Sequence, residues 1–306
     1  MMFFPFPTHP HPLMKTTRCT TPIALLAGIL LACSVQATSP DELRAAAERG
    51  EARAQFELAR ACLRGEGLRQ DPAQALEWMK KAAASGLADA IGGLGYFYAS
   101  GTAVEKDDAR AFELVQTAAE KGSAKAQLNL ARMLAKGEGT AINEAESVKW
   151  IERAAAQGFA DAQYALAEIA YSGQHGRKVD YPLALATALP AARQGHPAAQ
   201  NLVGVIYQHG FAGKADAAEA EKWLRLAARQ GDAKAQSNLG HLLGPENPDL
   251  ARRREALTWL LIACRQKETT ALRKIELLRD LFPADQFTDP EAEAAKFQPS
   301  PELGGR

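Results

Sequence analysis

Glycines that close alanine-rich stretches stand at positions 50, 86, 122, 158, 195 and 231, a period of 36 residues with one step of 37. Tryptophan keeps the same phase, with Trp78, Trp150 and Trp223 each eight residues before one of these glycines and Trp259 continuing the series. A small-x-small-Gln signature follows several of the glycines: Ala52 to Gln55, Ala124 to Gln127, Ala160 to Gln163 and Ala233 to Gln236. Such a period excludes one globular core wound from unrelated elements. Each unit of this length is one supersecondary element that cannot bury its apolar face alone, so neighbours must stack.

Within a unit the pattern reads as two helices. The first runs near 52–64, with Ala54, Leu58, Ala59 and Cys62 recurring at three- and four-residue steps. Gly65-Glu66-Gly67 stops it. Asp71 before Pro72 suits an N-cap followed by proline at the first helical position. The second helix runs near 72–85 with Ala75, Trp78, Met79, Ala82 and Ala83 inward, and Gly86 ends it. Small side chains let axes approach toward the short end of the roughly 8–10 Å range, while tryptophan fills the larger gap between layers. The expected fold is all-α: a solenoid of about six antiparallel helix pairs over 51–267.

Thirty-six basic and 36 acidic residues cancel, which argues against a strongly basic nucleic-acid binder. At 47% hydrophobic residues the chain is ordinary for a folded protein. Four cysteines are too few for a disulfide framework, and Cys62 and Cys264 would lie about 50 Å apart at about 10 Å per repeat step, so they are expected as core residues. No Gly-x-Ser-x-Gly, P-loop, dinucleotide fingerprint, HExxH or Cys-x-x-Cys occurs. No catalytic residue, metal ligand set or cofactor is therefore assigned. His209 and His241, in the first helices of adjacent units, lack a third ligand.

Residues 1–37 read as an address. Pro22 to Ala32 is an apolar run of 11, preceded by Lys15 and Arg18 and followed by Val35-Gln36-Ala37. That is the layout of a secretory signal with cleavage after Ala37 and a true start at Met14. The run is too short for a membrane span, which takes about 20 apolar residues. A second reading stays open: Leu30-Leu31-Ala32-Cys33 resembles a lipoprotein lipobox, which would make Cys33 a lipidated N-terminus and the membrane anchor. Either reading expects a periplasmic or secreted body.

The repeat residues resemble the Sel-1-like repeat family of tetratricopeptide-like solenoids. Unit two reads Ala88-Asp89-Ala90, Leu94-Gly95-Tyr96-Phe97-Tyr98, Gly101, Val104, Asp107, Ala118-Ala119 and Gly122; unit three keeps Gly137-Glu138-Gly139, Trp150 and Ala154-Ala155. The resemblance spans about residues 40–267. It implies a right-handed superhelix and a scaffold that binds proteins or peptides, often in envelope or signalling assemblies. Leu114 and Thr187 depart from the family tryptophan, and unit four has one extra residue. Pro190 should bend its second helix. Unit six replaces the glycine loop by Gly244-Pro245-Glu246-Asn247-Pro248, so its first helix should end early. Residues 38–50 read as an N-terminal capping helix, 268–297 as C-terminal capping helices and 298–306 as a disordered tail.

In solenoids of helix pairs the first helices line the concave face. The register places Arg53, Phe56, Arg60, Arg64, Tyr96, Lys125, Arg132, Lys136, Tyr164 and Tyr171 there as candidate partner-binding residues, with Asp89 the main opposing charge. Arginine and aromatic residues are common interface anchors. The leading expectation is a non-enzymatic envelope adaptor that binds an acidic or extended peptide segment in the N-terminal half of the groove. Two rivals stay open. One is a polysaccharide- or peptidoglycan-associated assembly factor using Tyr96, Tyr164 and Tyr171 as stacking platforms. The other is a cell-wall or β-lactam-acting enzyme, an activity proposed for relatives.

Overall fold

The structure is a computed structural model that describes residues 39–244, 247–279, 292 and 294–299. The signal-like segment, Cys33 and the loop at 245–246 lie outside the described residues, as does most of the segment beyond 279. Fourteen bounded α-helices form among the described residues, and residues 292 and 294–296 are helical as well. A lone helix α1 (Pro40–Glu48) leads into six pairs: α2 (Ala52–Arg64) with α3 (Pro72–Ala84), α4 (Ala88–Ser100) with α5 (Asp108–Glu120), α6 (Ala124–Lys136) with α7 (Glu144–Ala156), α8 (Ala160–Ser172) with α9 (Tyr181–Arg193), α10 (Pro197–His209) with α11 (Ala217–Arg229), and α12 (Ala233–Leu243) with α13 (Leu250–Arg265). Helix α14 (Thr269–Arg279) covers the last pair.

Local chemistry sets these boundaries. Each first helix of repeats one to five ends on a glycine in the left-handed region, as at Gly65 (φ 73°), whose N–H donates to the Ala61 carbonyl. Each second helix starts from an Asx cap, as where Asp71 accepts from the Gln74 amide and Pro72 opens the helix. Such a cap is worth about 1 kcal/mol. Helix α12 has 11 residues where the other first helices have 13, so the first helix of repeat six does end early. Helix α9 runs unbroken through Pro190, and its length of 13 residues matches its neighbours. The carbonyl that loses its donor belongs to Ala186, which is exposed to water.

Packing follows the small residues. Gly95, Gly204 and Gly240 hold the same place in repeats two, five and six, and a Cβ there would stand 2.8 Å from Val115, 2.6 Å from Leu224 and 2.6 Å from Leu260. The first and second helices of a pair can close to this distance only where the first helix carries almost no side chain. Trp150 and Trp223 are buried at 8% exposure. Their rims carry cations, with Arg153 4.3 Å over the Trp150 ring and Lys222 5.5 Å from that of Trp223. These two tryptophans are thus interlayer filling, while Trp78 and Trp259 are half-buried. Cys62 is buried with its thiol donating to Gln74 Oε1 at 3.2 Å, and burial pushes that thiol above its ordinary pKa. Cys264 is half-buried, and both cysteines are free.

The repeated glutamine explains itself in three dimensions. Gln55, Gln127, Gln200 and Gln236 are buried, and each donates through Nε2 to a carbonyl eight residues earlier, at the end of the preceding helix: Ala47, Ala119, Ala192 and Ala228, at 3.0–3.1 Å. In repeats three to six the Oε1 of this residue accepts from a second glutamine at the end of the same repeat. Gln157 donates to Gln127 at 2.7 Å, Gln194 to Gln163 at 3.0 Å, Gln230 to Gln200 at 2.8 Å and Gln266 to Gln236 at 2.8 Å. One amide therefore ties three helices together, and its polar atoms are satisfied away from water.

The ends are closed differently. Helix α1 is held by a capping box, with Ser39 and Glu42 each bonding the other's backbone amide, and it buries Ala47 against repeat one. At the other end, residues 294–299 fold back on α13. Phe297 meets Trp259 edge-on at 5.5 Å, Ala294 is buried, and Pro299 lies 3.1 Å from where a side chain on Gly231 would stand.

Candidate functional site: the inner face of repeats two and three

First helices approach one another across repeat boundaries (α4 with α6, α8 with α10, α10 with α12) more closely than second helices do. The stack therefore closes toward the first helices, and their free surface is its inner face. All ten residues expected on this face belong to first helices.

Most of them are already engaged. Arg53 pairs with Glu57 at 3.0 Å and across the repeat boundary with Asp89 at 3.3 Å. Arg60 pairs with Glu57 at 2.9 Å, and the Arg53 and Arg60 guanidiniums lie 5.4 and 5.8 Å from the Phe56 ring centre. Arg64 pairs with Glu66, and Lys136 with Glu138 at 3.5 Å. Tyr164 donates to Glu168 at 2.6 Å and stacks on His196 at 4.8 Å. Burial and that carboxylate together hold the Tyr164 hydroxyl well above the ordinary phenol range. Tyr171 sits edge-on to Tyr181 at 5.3 Å, beside a column in which Phe211 stacks on Tyr181 at 4.6 Å and on His209 at 5.0 Å.

Tyr96, Lys125 and Arg132 remain. Tyr96 is 54% exposed, and among the described residues its one ring contact is edge-on to Phe97 of its own helix, at 6.2 Å. Lys125 and Arg132 are exposed and make no ion pair or side-chain hydrogen bond among the described residues. Tyr96 and Arg132 flank one groove of about 350 Å³ between α4 and α6. Gly92 and Gly95 form part of its wall, Asn129 and Met133 stand on α6, and the pairs Lys106–Asp108 and Lys136–Glu138 close one end. Lys106 and Asp108 are 2.8 Å apart, so these two pairs are each neutral. Arg132 is the uncompensated charge of the groove. The sequence reading included Tyr96, Arg132 and Lys136 but missed Gly92, Asn129, Lys106 and Glu138. The signal was there at residue 92: the register that carries Phe56, Leu128, Tyr164, Asn201 and Ser237 is empty only in repeat two.

Further along, the inner face is occupied by its own polar contacts. Asn238 donates to Asn201 at 3.0 Å, and Lys274 donates to the Ser237 carbonyl at 3.2 Å and Oγ at 2.9 Å. A serine beside a lysine whose pKa is lowered by burial has the make-up of a nucleophile and its base. Ser237 is 0% exposed, so no substrate carbonyl can reach it; the pair fastens α14 to α12. No group of three or more His, Cys, Asp or Glu is arranged to hold a metal among the described residues. Among the described residues no helix is long and apolar enough to cross a membrane. A second cavity, of about 400 Å³, lies on α13 between Trp259, Ile262 and Phe297, away from the inner face.

Comparison with known proteins bears on this architecture. The Sel1 repeat model matches six consecutive segments: 52–87, 88–123, 124–159, 160–196, 197–232 and 233–268. A Sel1 repeat protein from Oxalobacter formigenes superposes with a TM-score of 0.65 at 27% identity, over 74% of this chain and 98% of that one. The uropathogenic Escherichia coli protective antigen c5321, which displays the same repeat fold, superposes with a TM-score of 0.53 at 23% identity, over 84% of this chain and 63% of that one. A comparison with curated proteins gave no match. The stacked pairs, their period and the matched segments agree: the chain belongs to the Sel1 repeat family.

Proposed function

We propose that this protein is a non-catalytic scaffold that captures a protein partner on the inner face of repeats two and three. Sel1 repeat proteins are generally protein-interaction scaffolds, and that supports the class. The observation that carries the location is the clustering of unpartnered groups. Of ten candidate residues spread along the array, Lys125 and Arg132 alone have no charged partner or ring contact among the described residues, and Arg132 flanks the groove with Tyr96, the most exposed of the three candidate tyrosines. An exposed aromatic residue beside an unpaired arginine is the composition of an interface anchor.

The partner meets a rigid surface and undergoes no chemistry. Only Arg132 among the groove's cations is uncompensated, so the surface favours an isolated acidic group over a polyacidic stretch. Arg60, held by Glu57, contributes less than its place in the register suggested. Glycan stacking is the weaker reading, because Tyr164 and Tyr171 use their rings on other rings. The signal-like segment before residue 38 supports an envelope location, and Cys33 would anchor the chain if lipidated.

A photo-reactive amino acid at position 96 should crosslink a discrete partner in intact cells, and Arg132→Glu should abolish that adduct. An unaltered adduct in the variant would remove the groove from the reading. Mass spectrometry of the mature N-terminus tests the location: Thr38 means soluble export, a lipidated Cys33 means an anchor, and an uncleaved chain overturns both.

A further inference from the structure

The groove exists because one position is bare. At the register of residue 92 the other five repeats carry Phe56, Leu128, Tyr164, Asn201 and Ser237, and repeat two alone carries glycine. A helical glycine costs about 1 kcal/mol relative to alanine, so its use calls for a reason. Packing supplies one at the neighbouring glycines. A Cβ on Gly93 would stand 2.7 Å from the Met79 sulfur, and one on Gly95 would stand 2.8 Å from Val115. At Gly92 packing supplies none. A Cβ there would meet only the Cβ atoms of Ala118 and Ala126, both at the ordinary contact distance of 3.4 Å. The missing side chain opens helix backbone to the groove, opposite the α6 face that carries Arg132 and Met133.

We propose that this groove is the docking site for an extended segment of a partner protein, one that places an apolar side chain over Gly92 and an acidic side chain on Arg132. The proposal deepens the scaffold reading and rests on it. Charge complementarity selects the acid: Lys106 and Lys136 are neutralised by Asp108 and Glu138, which leaves one positive charge for one carboxylate. Shape selects the apolar neighbour. Gly92, Gly95, Ala99, Val115 and Met133 form the apolar part of the lining, beside the polar part that carries Asn129 and Arg132. The walls run from residue 92 to 99 on α4, about 10 Å of helix, which accommodates a through-running segment of a few residues.

The test is peptide selection on the intact protein with two displayed random libraries, one internal to the display protein and one ending in a free C-terminus. The internal library should yield peptides with one Asp or Glu beside a large apolar residue. Arg132→Gln should weaken such a peptide about tenfold, as for loss of a partly desolvated charge pair. Gly92→Leu should weaken an enriched peptide by a similar factor, and Gly92→Ala less, with thermal melts confirming that each variant is folded. Enriched peptides that lack this pattern, or that bind both variants as they bind the native protein, would overturn the proposal and leave the scaffold reading standing. Selection from the free-C-terminus library alone would make the ligand a chain terminus and sink the acidic side chain. No enrichment from either library would take the inner-face reading down as well.

Discussion

Ser85 stands where repeats three to six carry Gln157, Gln194, Gln230 and Gln266, and Gln55, thirty residues before it, keeps a buried Oε1 with no hydrogen-bond partner. In the later repeats that oxygen accepts from the second glutamine, as at the 2.7 Å bond from Gln157 to Gln127. Serine is too short to reach. Repeat two lacks both partners, having Ile91 and Lys121 at the two positions, and so leaves no polar atom stranded there.

Restoring the missing donor should stabilise the N-terminal end. Leaving a buried acceptor unpaired costs about 1–3 kcal/mol. Ser85→Gln is expected to raise stability by about 1 kcal/mol, read as a higher urea midpoint with unchanged slope. The reverse change, Gln157→Ala, should cost a similar amount by stranding Gln127. If Ser85→Gln left the midpoint where it was, the amide ladder would not be a stabilising unit.

The glycines of α4 should respond in opposite directions. Gly92→Ala meets Ala118 and Ala126 at an ordinary contact distance of 3.4 Å and gains helix propensity, so it should stabilise by about 0.5–1 kcal/mol. Gly95→Ala would press on Val115 and on the Ala111 carbonyl at 3.2 Å, and should destabilise by about 1–3 kcal/mol. Thermal melts of the two variants give the comparison, and equal shifts would refute it.

Acid should loosen repeats five and six. Glu221 pairs with Arg225 at 2.6 Å and with Arg252, and Arg225 also pairs with Glu255. Burial works to raise both carboxyl pKa values, but the guanidiniums outweigh it and hold both below the ordinary range. A folded pKa below the unfolded value means that the stabilisation is complete above about pH 4.3 and lost as pH falls through the lowered folded value. Urea titrations from pH 6 to pH 3 should show that loss in the native protein. Glu221→Gln should start lower and fall less.

Base should tighten the C-terminal cap. Burial lowers the pKa of Lys274, with Glu268 opposing the shift more weakly. In the window between its lowered folded value and the unfolded value of about 10.4, the unfolded chain holds more protons, so stability rises with pH there. Hydrogen exchange of α14 amides, corrected for the intrinsic rate, should show increasing protection across that window in the native protein. Lys274→Met should flatten the trend.

A fifth expectation concerns the loop glycine Gly139, whose φ is 72°. A Cβ there would collide with the Asp108 carbonyl of the preceding repeat. Gly139→Ala should destabilise by about 2 kcal/mol or more, combining left-handed strain with the clash. A shift in melting temperature no larger than that of an exposed Gly86→Ala control would contradict the contact.

Much of the fold was readable before any coordinate. The phase of Gly86, Gly122 and Gly158, the Asp-Pro step at Asp71 and the shortened helix before Gly244 all act through neighbours within a few residues. Backbone sterics and caps answer to local sequence, so period, helix limits and the first-helix candidates came out of the register. The local partners of those candidates, such as Glu57 for Arg60 and Glu168 for Tyr164, are within reach of the same register, but the partners from farther along the chain are not. Arg53 meets Asp89 and Tyr164 meets His196 over more than thirty residues, and Phe211 stacks on Tyr181 of the preceding repeat. Whether a charged residue on a helix face finds a partner beyond its own helix depends on the length, rotamer and placement of side chains one repeat away. Register alone fixes none of these. The sequence determined the repeating scaffold and the row of residues along its inner face. Only tertiary packing decided that Arg53 reaches Asp89 across the repeat boundary while Arg132 meets no acid from a neighbouring repeat, because pairing between repeats is settled by distances between helices that the period sets only to the nearest turn.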